Sequence, residues 1–386
     1  MDADGAGPPE DALLAELHRL APRVAIVHDW LTIPGGSEQV VMELLEMFPA
    51  AELFTSVYDP APWPELITGR VVHASFLNRL PGASRHYPKL LPLMNRAFRS
   101  FDLSGFDLVI SSSHACAKNV RTPPATLHVC YCHTPMRYAW EEDFLRGERV
   151  GPLRLLLGPL LGWLRRQDVA GSREPDVFVA NSQHVADRIE RYYGRSAEVV
   201  HPPVDVDHYL SLPRAPGDYY LAFGRVVPYK RVDLAVQACS GIGRPLVVAG
   251  AGRALGKLRD SATTGTEFLG PVSAAQRDAL LSGARALLFP GEEDFGIVPV
   301  EAQAAGVPVI AYGVGGASES VLDGQTGVLF AQQTVASVLE GIMRFETLAL
   351  EERTIRANAQ RFGRARFRSE MAELVARSIG AGPRSP

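Results

Sequence analysis

The chain has 386 residues, enough for about two to three domains that each bury a core. It is 46% hydrophobic and 21% charged with a formal net charge of −4, which excludes the basic balance of a nucleic-acid binder. Four cysteines are too few for a disulfide framework, and the acidic, Pro/Gly-bearing start lacks the basic-then-apolar order of a secretory signal. The expectation is therefore a cytosolic protein, with residues 1–21 a flexible extension.

Strand-like and helix-like patterns then alternate along the chain. The first half predicts strands at 24–28, 52–57, 71–74, 108–111, 128–132 and 177–180, with helical spacing at 38–47 and 184–192. The second half repeats the arrangement with strands at 219–223, 246–249, 267–269, 286–289, 307–311 and 327–330. Continuous apolar runs such as 246–249 and 286–289 imply burial on both faces, as in a parallel sheet. Strand–helix alternation implies right-handed crossovers. The predicted fold class is α/β, with two Rossmann-like doubly wound domains facing a cleft and ligands beyond the strands' carboxyl ends. Pro202-Pro203 marks a stiff connection, which sets a first domain at 22–200 and a second at 201–360.

Three loops stand at such carboxyl ends. After strand 24–28, Pro34-Gly35-Gly36-Ser37-Glu38 leads into a helix. Adjacent glycines let the backbone approach a phosphate or sugar, and they serve equally well in a plain turn. After strand 219–223 come Gly224 and Arg225, with Lys230 and Arg231 shortly beyond. A guanidinium fork plus an ammonium suits a diphosphate, although solvated surface cations share that pattern. The third loop is Glu293-Asp294-Phe295-Gly296-Ile297-Val298-Pro299-Val300-Glu301. Residues eight apart on one helix lie ~80° apart, a poor match for a shared face. Gly296 argues against a continuous helix and Pro299 suits a first helical turn. Glu293 is then expected in the loop and Glu301 just inside the helix, both facing an N-terminus that attracts anions. A capping carboxylate beside a loop charge is the plainer alternative.

Other patterns are weaker. Asp205-Val206-Asp207 offers two carboxylates, too few for a metal. His114, Cys116, His128, Cys130, Cys132 and His133 suggest zinc, but Cys130 and Cys132 are expected on opposite strand faces and lack knuckle spacing. Gly250-Ala251-Gly252 begins a dinucleotide fingerprint whose third glycine, Gly256, comes one residue late.

Gly35-Gly36-Ser37-Glu38, Gly224-Arg225 with Lys230, and Glu293 through Glu301 together resemble the retaining GT-B glycosyltransferases, group 1 (family 4), over roughly residues 22–375. Ser111-Ser112-Ser113-His114, the run Cys130-Tyr131-Cys132-His133-Thr134-Pro135-Met136-Arg137-Tyr138, and Asn181-Ser182 are similar to mannosyltransferases of O-antigen and exopolysaccharide synthesis. The resemblance implies that Arg225 and Lys230 bind the donor diphosphate and stabilise it as it leaves. It implies that Glu301 bonds the ribose, that Glu293 holds the transferred sugar and that His133 sits beside that sugar. Gly35, Gly36, Gly224, Gly296 and Ile297 would bring backbone to the donor, and Gly315-Gly316 before Glu319 would border the nucleotide. A final helix, with the length of 353–376, would cross back to the first domain, giving a closing segment at 361–386.

No cofactor or metal is implied. The donor is a nucleotide sugar, GDP-mannose favoured, and the acceptor a polyprenyl-linked saccharide. A sugar-nucleotide epimerase of the same fold and a non-catalytic sugar-nucleotide-binding protein stay open as alternatives. Two stretches, 76–101 and 144–167, mix arginines with Leu, Phe and Trp, as an inner-leaflet membrane contact or a buried helix with snorkelling cations would.

Overall fold

A computed structural model describes residues 10–141, 154–262 and 265–381. They form two units, Met1–Pro203 with Ala365–Pro386 and Val204–Arg364.

The first unit carries seven strands: β1 (Val24–His28), β2 (Glu52–Thr55), β3 (Val72–Ala74), β4 (Leu108–Ser113), β5 (Leu127–Cys132), β6 (Val177–Ala180) and β7 (Glu198–Val199). All pair in parallel, in the order β3-β2-β1-β4-β5-β6-β7. β1, β4 and β5 are buried along their whole length, which is why 24–27 and 108–110 are continuous apolar runs rather than alternating ones. The order reverses between β1 and β4, so their carboxyl ends open a crevice.

The second unit repeats the plan with β8 (Tyr220–Phe223), β9 (Leu246–Ala249), β10 (Thr266–Gly270), β11 (Ala286–Phe289), β12 (Val309–Tyr312) and β13 (Gly327–Phe330). The order is β10-β9-β8-β11-β12-β13, again all parallel, with the reversal between β8 and β11. The twelve strands expected from sequence are all present, five with the expected bounds and seven with ends shifted by one or two residues. β7 was read as connection, because two residues are too short to show a period.

Three expectations are corrected. Residues 10–20 are not a flexible extension: Glu10–Leu20 is a helix whose Leu13 and Leu17, one turn apart, are buried with Ala21 in the first unit's core. The stretch 353–376 is two helices, Glu352–Gln360 and Arg364–Ala381, not one, and only the second belongs to the closing segment. The break falls where Phe362 packs 5.5 Å from Phe295 and its carbonyl accepts from the Val204 amide. The first of these helices buries Ile355 and Ala359 in the second unit, and the last buries Phe367, Met371, Leu374 and Val375 in the first.

Cys130 and Cys132 share one face rather than opposing each other. Residues two apart in a strand point the same way, and both pack with Phe178, Ala180 and Val185 while Tyr131 faces the other core. Burial pushes the Cys130 thiol up to about 12, as for a small hydrophobe. Among the described residues no three His, Cys, Asp or Glu side chains assemble into a metal site. In the stretch 76–101, Leu91, Met94 and Phe98 are core, while Phe76, Leu80 and Leu93 are 41–45% exposed beside exposed Arg79, Arg85, Lys89 and Arg96. The beginning of the second basic stretch, 144–153, lies outside the described residues. Among the described residues no helix is long and apolar enough to cross a membrane.

Candidate functional site

In the second unit, β8 and β11 are paired neighbours at the reversal, and the loops leaving them form the walls of one pocket. Gly224, Arg225, Lys230, Phe289, Gly291 and Glu293 line it. The loop after β9 supports it from the side. Gly250 has φ +137°, and a Cβ there would come within 1.9 Å of the Gly224 carbonyl oxygen. Val226 donates its amide to Ala251 O at 2.9 Å. The glycines that suggested a dinucleotide fingerprint thus let two loops touch.

Lys230 closes a short 3₁₀ turn, Pro228–Lys230, that carries its ammonium back over the Phe289 ring at 5.8 Å. Nζ lies 2.7 Å from Glu293 Oε1, and both side chains are 16% exposed. The contact is a charge pair without a well-directed hydrogen bond, so Oε1 keeps its accepting capacity. Arg225 is exposed, its guanidinium 3.5 Å from the Tyr229 hydroxyl. Arg231 is committed elsewhere: Nε and Nη2 each reach Asp233 at 3.1 Å. Arg231 is also left-handed at φ +50°, unlike any other non-glycine among the described residues, a strain of the kind that gathers at functional sites.

Glu293 itself is clamped by the loop after β12. Its carbonyl accepts from the Gly316 amide at 2.9 Å, and a Cβ on Gly316 would fall 2.1 Å from Phe295 Cα. The Gly315-Gly316 pair therefore holds the Glu293 segment in place. Gly296, at φ +84°, caps the helix Ile297–Ala304, so Gly296 and Ile297 stand where a helix leaves amides without internal partners. Pro299 is the third helical residue and Glu301 the fifth, one turn deeper than the spacing suggested. Glu301 is only 7% exposed. Burial raises its pKa, opposed by a hydrogen bond from the Tyr209 hydroxyl and by the Arg277 charge. Nothing in the local sequence announces Tyr209, which reaches Glu301 from the helix Val206–Leu210. The structure thus gathers Gly224, Arg225, Lys230 and Glu293 around one pocket and sets Gly296, Ile297 and Glu301 on the next helix.

The first unit builds a polar cluster at its own reversal. His28 ends β1 directly opposite Ser112 of β4, and His133 follows β5. His28 Nε2 lies 3.1 Å from Glu38 Oε1, and Nδ1 is 3.1 Å from both the carbonyl oxygen and Oγ of Ser112. Ser112 Oγ is 2.8 Å from His133 Nε2. Asp29 accepts the amides of His114, Ala115, Cys116 and Ala117 at 2.6–2.9 Å, with His114 Nδ1 3.4 Å away.

All of these groups are buried or nearly so. Burial would push the Asp29 carboxyl up, but the charges of His114 and His28 and the backbone amides outweigh it and hold it below the usual range. Glu38 is likewise lowered against burial, by its hydrogen bond to His28 and the charges of His28 and His114. Burial, then the charges of His114 and His28, hold His133 well below the usual histidine range, so it is neutral. Gly35 is extended at φ −157° and caps the helix Gly36–Met47, whose first turn delivers Glu38 to His28.

From sequence, His114 stands out only as a candidate zinc ligand, and His28, Asp29, Glu38 and Ser112 carry no assigned role. The available signal was polar residues ending otherwise apolar strands, Val-Ala-Ile-Val-His-Asp and Leu-Val-Ile-Ser-Ser-Ser-His.

Comparison with known proteins follows the division into units. Residues 212–362 match the family model of glycosyl transferases group 1, and residues 34–208 match that of glycosyltransferase family 4. A D-inositol 3-phosphate glycosyltransferase of Gordonia bronchialis is 28% identical over 231 residues, 49% of this chain and 49% of that protein. The match spans about half the length of such curated relatives. Among solved structures, sucrose-phosphate synthase from Thermosynechococcus elongatus gives a TM-score of 0.72 at 17% identity, covering 93% of this chain and 100% of that one. Anabaena HepE, solved with UDP and glucose, gives 0.64 at 17% identity, covering 91% of this chain and 99% of that one. At these identities the likeness is one of fold.

Proposed function

We propose that the chain is a group 1 glycosyltransferase and that it transfers a hexose from a nucleotide sugar to a saccharide acceptor with retention at the anomeric carbon. The observation that carries this reading is the Lys230–Glu293 pair in the pocket where β8 and β11 diverge. An ammonium and an arginine, Lys230 and Arg225, suit a diphosphate that gains charge as it leaves. Once a diphosphate draws Lys230 away, Glu293 has a free carboxylate for the hydroxyls of the transferred sugar.

Glu301 accepts the ribose hydroxyls in this account, oriented by Tyr209. Gly224, Gly296 and Ile297 supply backbone to the donor, and His133 with the Gly35-Gly36 turn meets the transferred sugar. The departing phosphate takes the acceptor's proton, so no carboxylate nucleophile is needed, unlike paired-carboxylate glycoside hydrolysis. Two protein cations stand where a metal would otherwise neutralise the diphosphate.

GDP-mannose is the proposed donor, on the resemblance of the 130–138 run. The UDP bound by HepE makes a UDP-sugar the competing choice. A polyprenyl-linked saccharide is the proposed acceptor, met at the inner leaflet through the face bearing Phe76, Leu80, Leu93, Arg79, Arg85, Lys89 and Arg96. Liposome flotation that ignores replacement of these cations by Ala removes the membrane contact.

The test is transfer itself. Purified protein, labelled nucleotide sugar and lipid-linked acceptor should yield nucleoside diphosphate and an acceptor heavier by one hexose. Glu293→Ala should abolish this while nucleotide binding survives. Conversion of the donor without acceptor would indicate an epimerase, and binding without turnover a silent binding protein.

A further inference from the structure

We propose that Glu38, His28 and Ser112 form a hydrogen-bonded chain that fixes His133 with its proton on Nδ1, making it a hydrogen-bond donor rather than a base. What His133 donates to rests on the transferase reading; the state of the ring does not.

The assignment follows from which groups can only accept. Glu38 is ionised, so His28 Nε2, 3.1 Å from Oε1, must carry a proton. The Ser112 carbonyl oxygen also can only accept, so His28 Nδ1, 3.1 Å away, must carry one as well. A bare nitrogen there would set two lone pairs against each other in a fully buried site. Both His28 ring nitrogens thus donate, Nε2 to Glu38 and Nδ1 to the Ser112 carbonyl. Asp29, the other buried carboxylate nearby, is already met by four amides and His114.

The Ser112 hydroxyl has one hydrogen to give. A protonated His28 Nδ1 cannot take it, so it goes to His133 Nε2 at 2.8 Å. His133 then holds a lone pair at Nε2 and, being neutral, its single proton at Nδ1. Nδ1 makes no hydrogen bond among the described residues. The His133 backbone is pinned on both sides, its amide donating to Ser113 O at 2.9 Å and its carbonyl accepting from Asn181 Nδ2 at 3.0 Å. A fixed N–H of this kind suits a sugar or phosphate oxygen. It is of no use for removing a proton, which fits a reaction in which the leaving phosphate does so. Glu38, His28 and Ser112 are positioning residues in this scheme, acting only through His133.

The experiment is nitrogen NMR of the ligand-free protein carrying ¹⁵N-labelled histidine rings, with the His133 signals identified by their loss in His133→Asn. The expected spectrum shows His133 protonated at Nδ1 and bare at Nε2. In Glu38→Gln the Ser112 carbonyl still holds His28 Nδ1–H, so the Ser112 hydroxyl and the His133 proton should stay where they are. Ser112→Ala should release the preference, and Ser112→Thr should restore it. In transfer assays, Ser112→Ala should lower kcat about two- to tenfold, the worth of one neutral hydrogen bond, with recovery in Ser112→Thr. A wild-type ring protonated at Nε2, or one unmoved by Ser112→Ala, would overturn the proposal. Because the spectrum needs no substrate, its failure and the failure of glycosyl transfer are read separately.

Discussion

Glu293→Gln should move two ligands in opposite directions. In the free protein Lys230 and Glu293 sit 2.7 Å apart, each 16% exposed. At an effective dielectric of about 20 their gross attraction is about 6 kcal/mol. Desolvation and side-chain ordering offset most of that, leaving about 1–2 kcal/mol for a pair intermediate between exposed and buried. A diphosphate must draw Lys230 out of this pair. Removing the Glu293 charge should therefore tighten a nucleoside diphosphate without sugar by about tenfold, since 1.4 kcal/mol is a factor of ten. Lys230→Ala should do the reverse. It deletes a charge-assisted contact of about 1.5–3 kcal/mol and leaves Glu293 repelling the ligand, for a loss of about a hundredfold or more. Titration calorimetry on the three proteins measures this directly. With the intact nucleotide sugar, Glu293→Gln should instead reduce transfer by two orders of magnitude or more, because the sugar's hydroxyls lose their acceptor. A Glu293→Gln protein that binds the bare diphosphate more weakly than wild type would refute the competition on which this reasoning rests.

Three further outcomes follow from buried groups. Burial, opposed by a backbone hydrogen bond, holds His128 down to about 3, so below pH 6.5 the unfolded ring takes a proton that the folded one refuses. Stability should then fall with pH, by about 2 kcal/mol between pH 6.5 and 5 from this residue, and urea titrations should show a flatter dependence in His128→Gln. Gly316→Ala should destabilise the protein by about 1–3 kcal/mol, because its Cβ meets backbone at Phe295 Cα rather than a side chain that can swing away. An unchanged melting temperature would show that the two loops are not clamped together. Tyr209→Phe leaves the buried Glu301 carboxylate without its hydroxyl donor, a loss of about 1–3 kcal/mol that thermal unfolding would report.

The strands were legible because burial on both faces forces continuous apolar runs, and Leu246–Ala249 and Ala286–Phe289 begin and end where those runs do. β7 escaped because a two-residue strand has no period, and the Glu10–Leu20 helix because a Pro/Gly-rich start hides two leucines one turn apart. The Cys130–Cys132 expectation failed on the strand period itself. Within the site, spacing located Glu293 and Lys230 but not their contact, since the pair depends on how the Pro228–Lys230 turn folds back over Phe289. The Glu38–His28–Ser112–His133 chain was further from reach. It joins residues from two strands, a helix and the loop after a third strand, and only parallel register puts His28 opposite Ser112. Tyr209 was invisible for the same reason, being brought to Glu301 by tertiary packing alone.

The central claim is that the second unit seats a nucleotide sugar at Arg225, Lys230 and Glu293. A metal-free thermal-shift screen of GDP, UDP, ADP and their common sugar conjugates tests it most directly. A ligand held at a hundred times its dissociation constant adds about 2.7 kcal/mol of stability. The account predicts such a shift for one base and its sugar conjugate, GDP with GDP-mannose foremost, and its loss in Arg225→Ala/Lys230→Ala. No shift with any nucleotide, or an equal shift in that double variant, would contradict it.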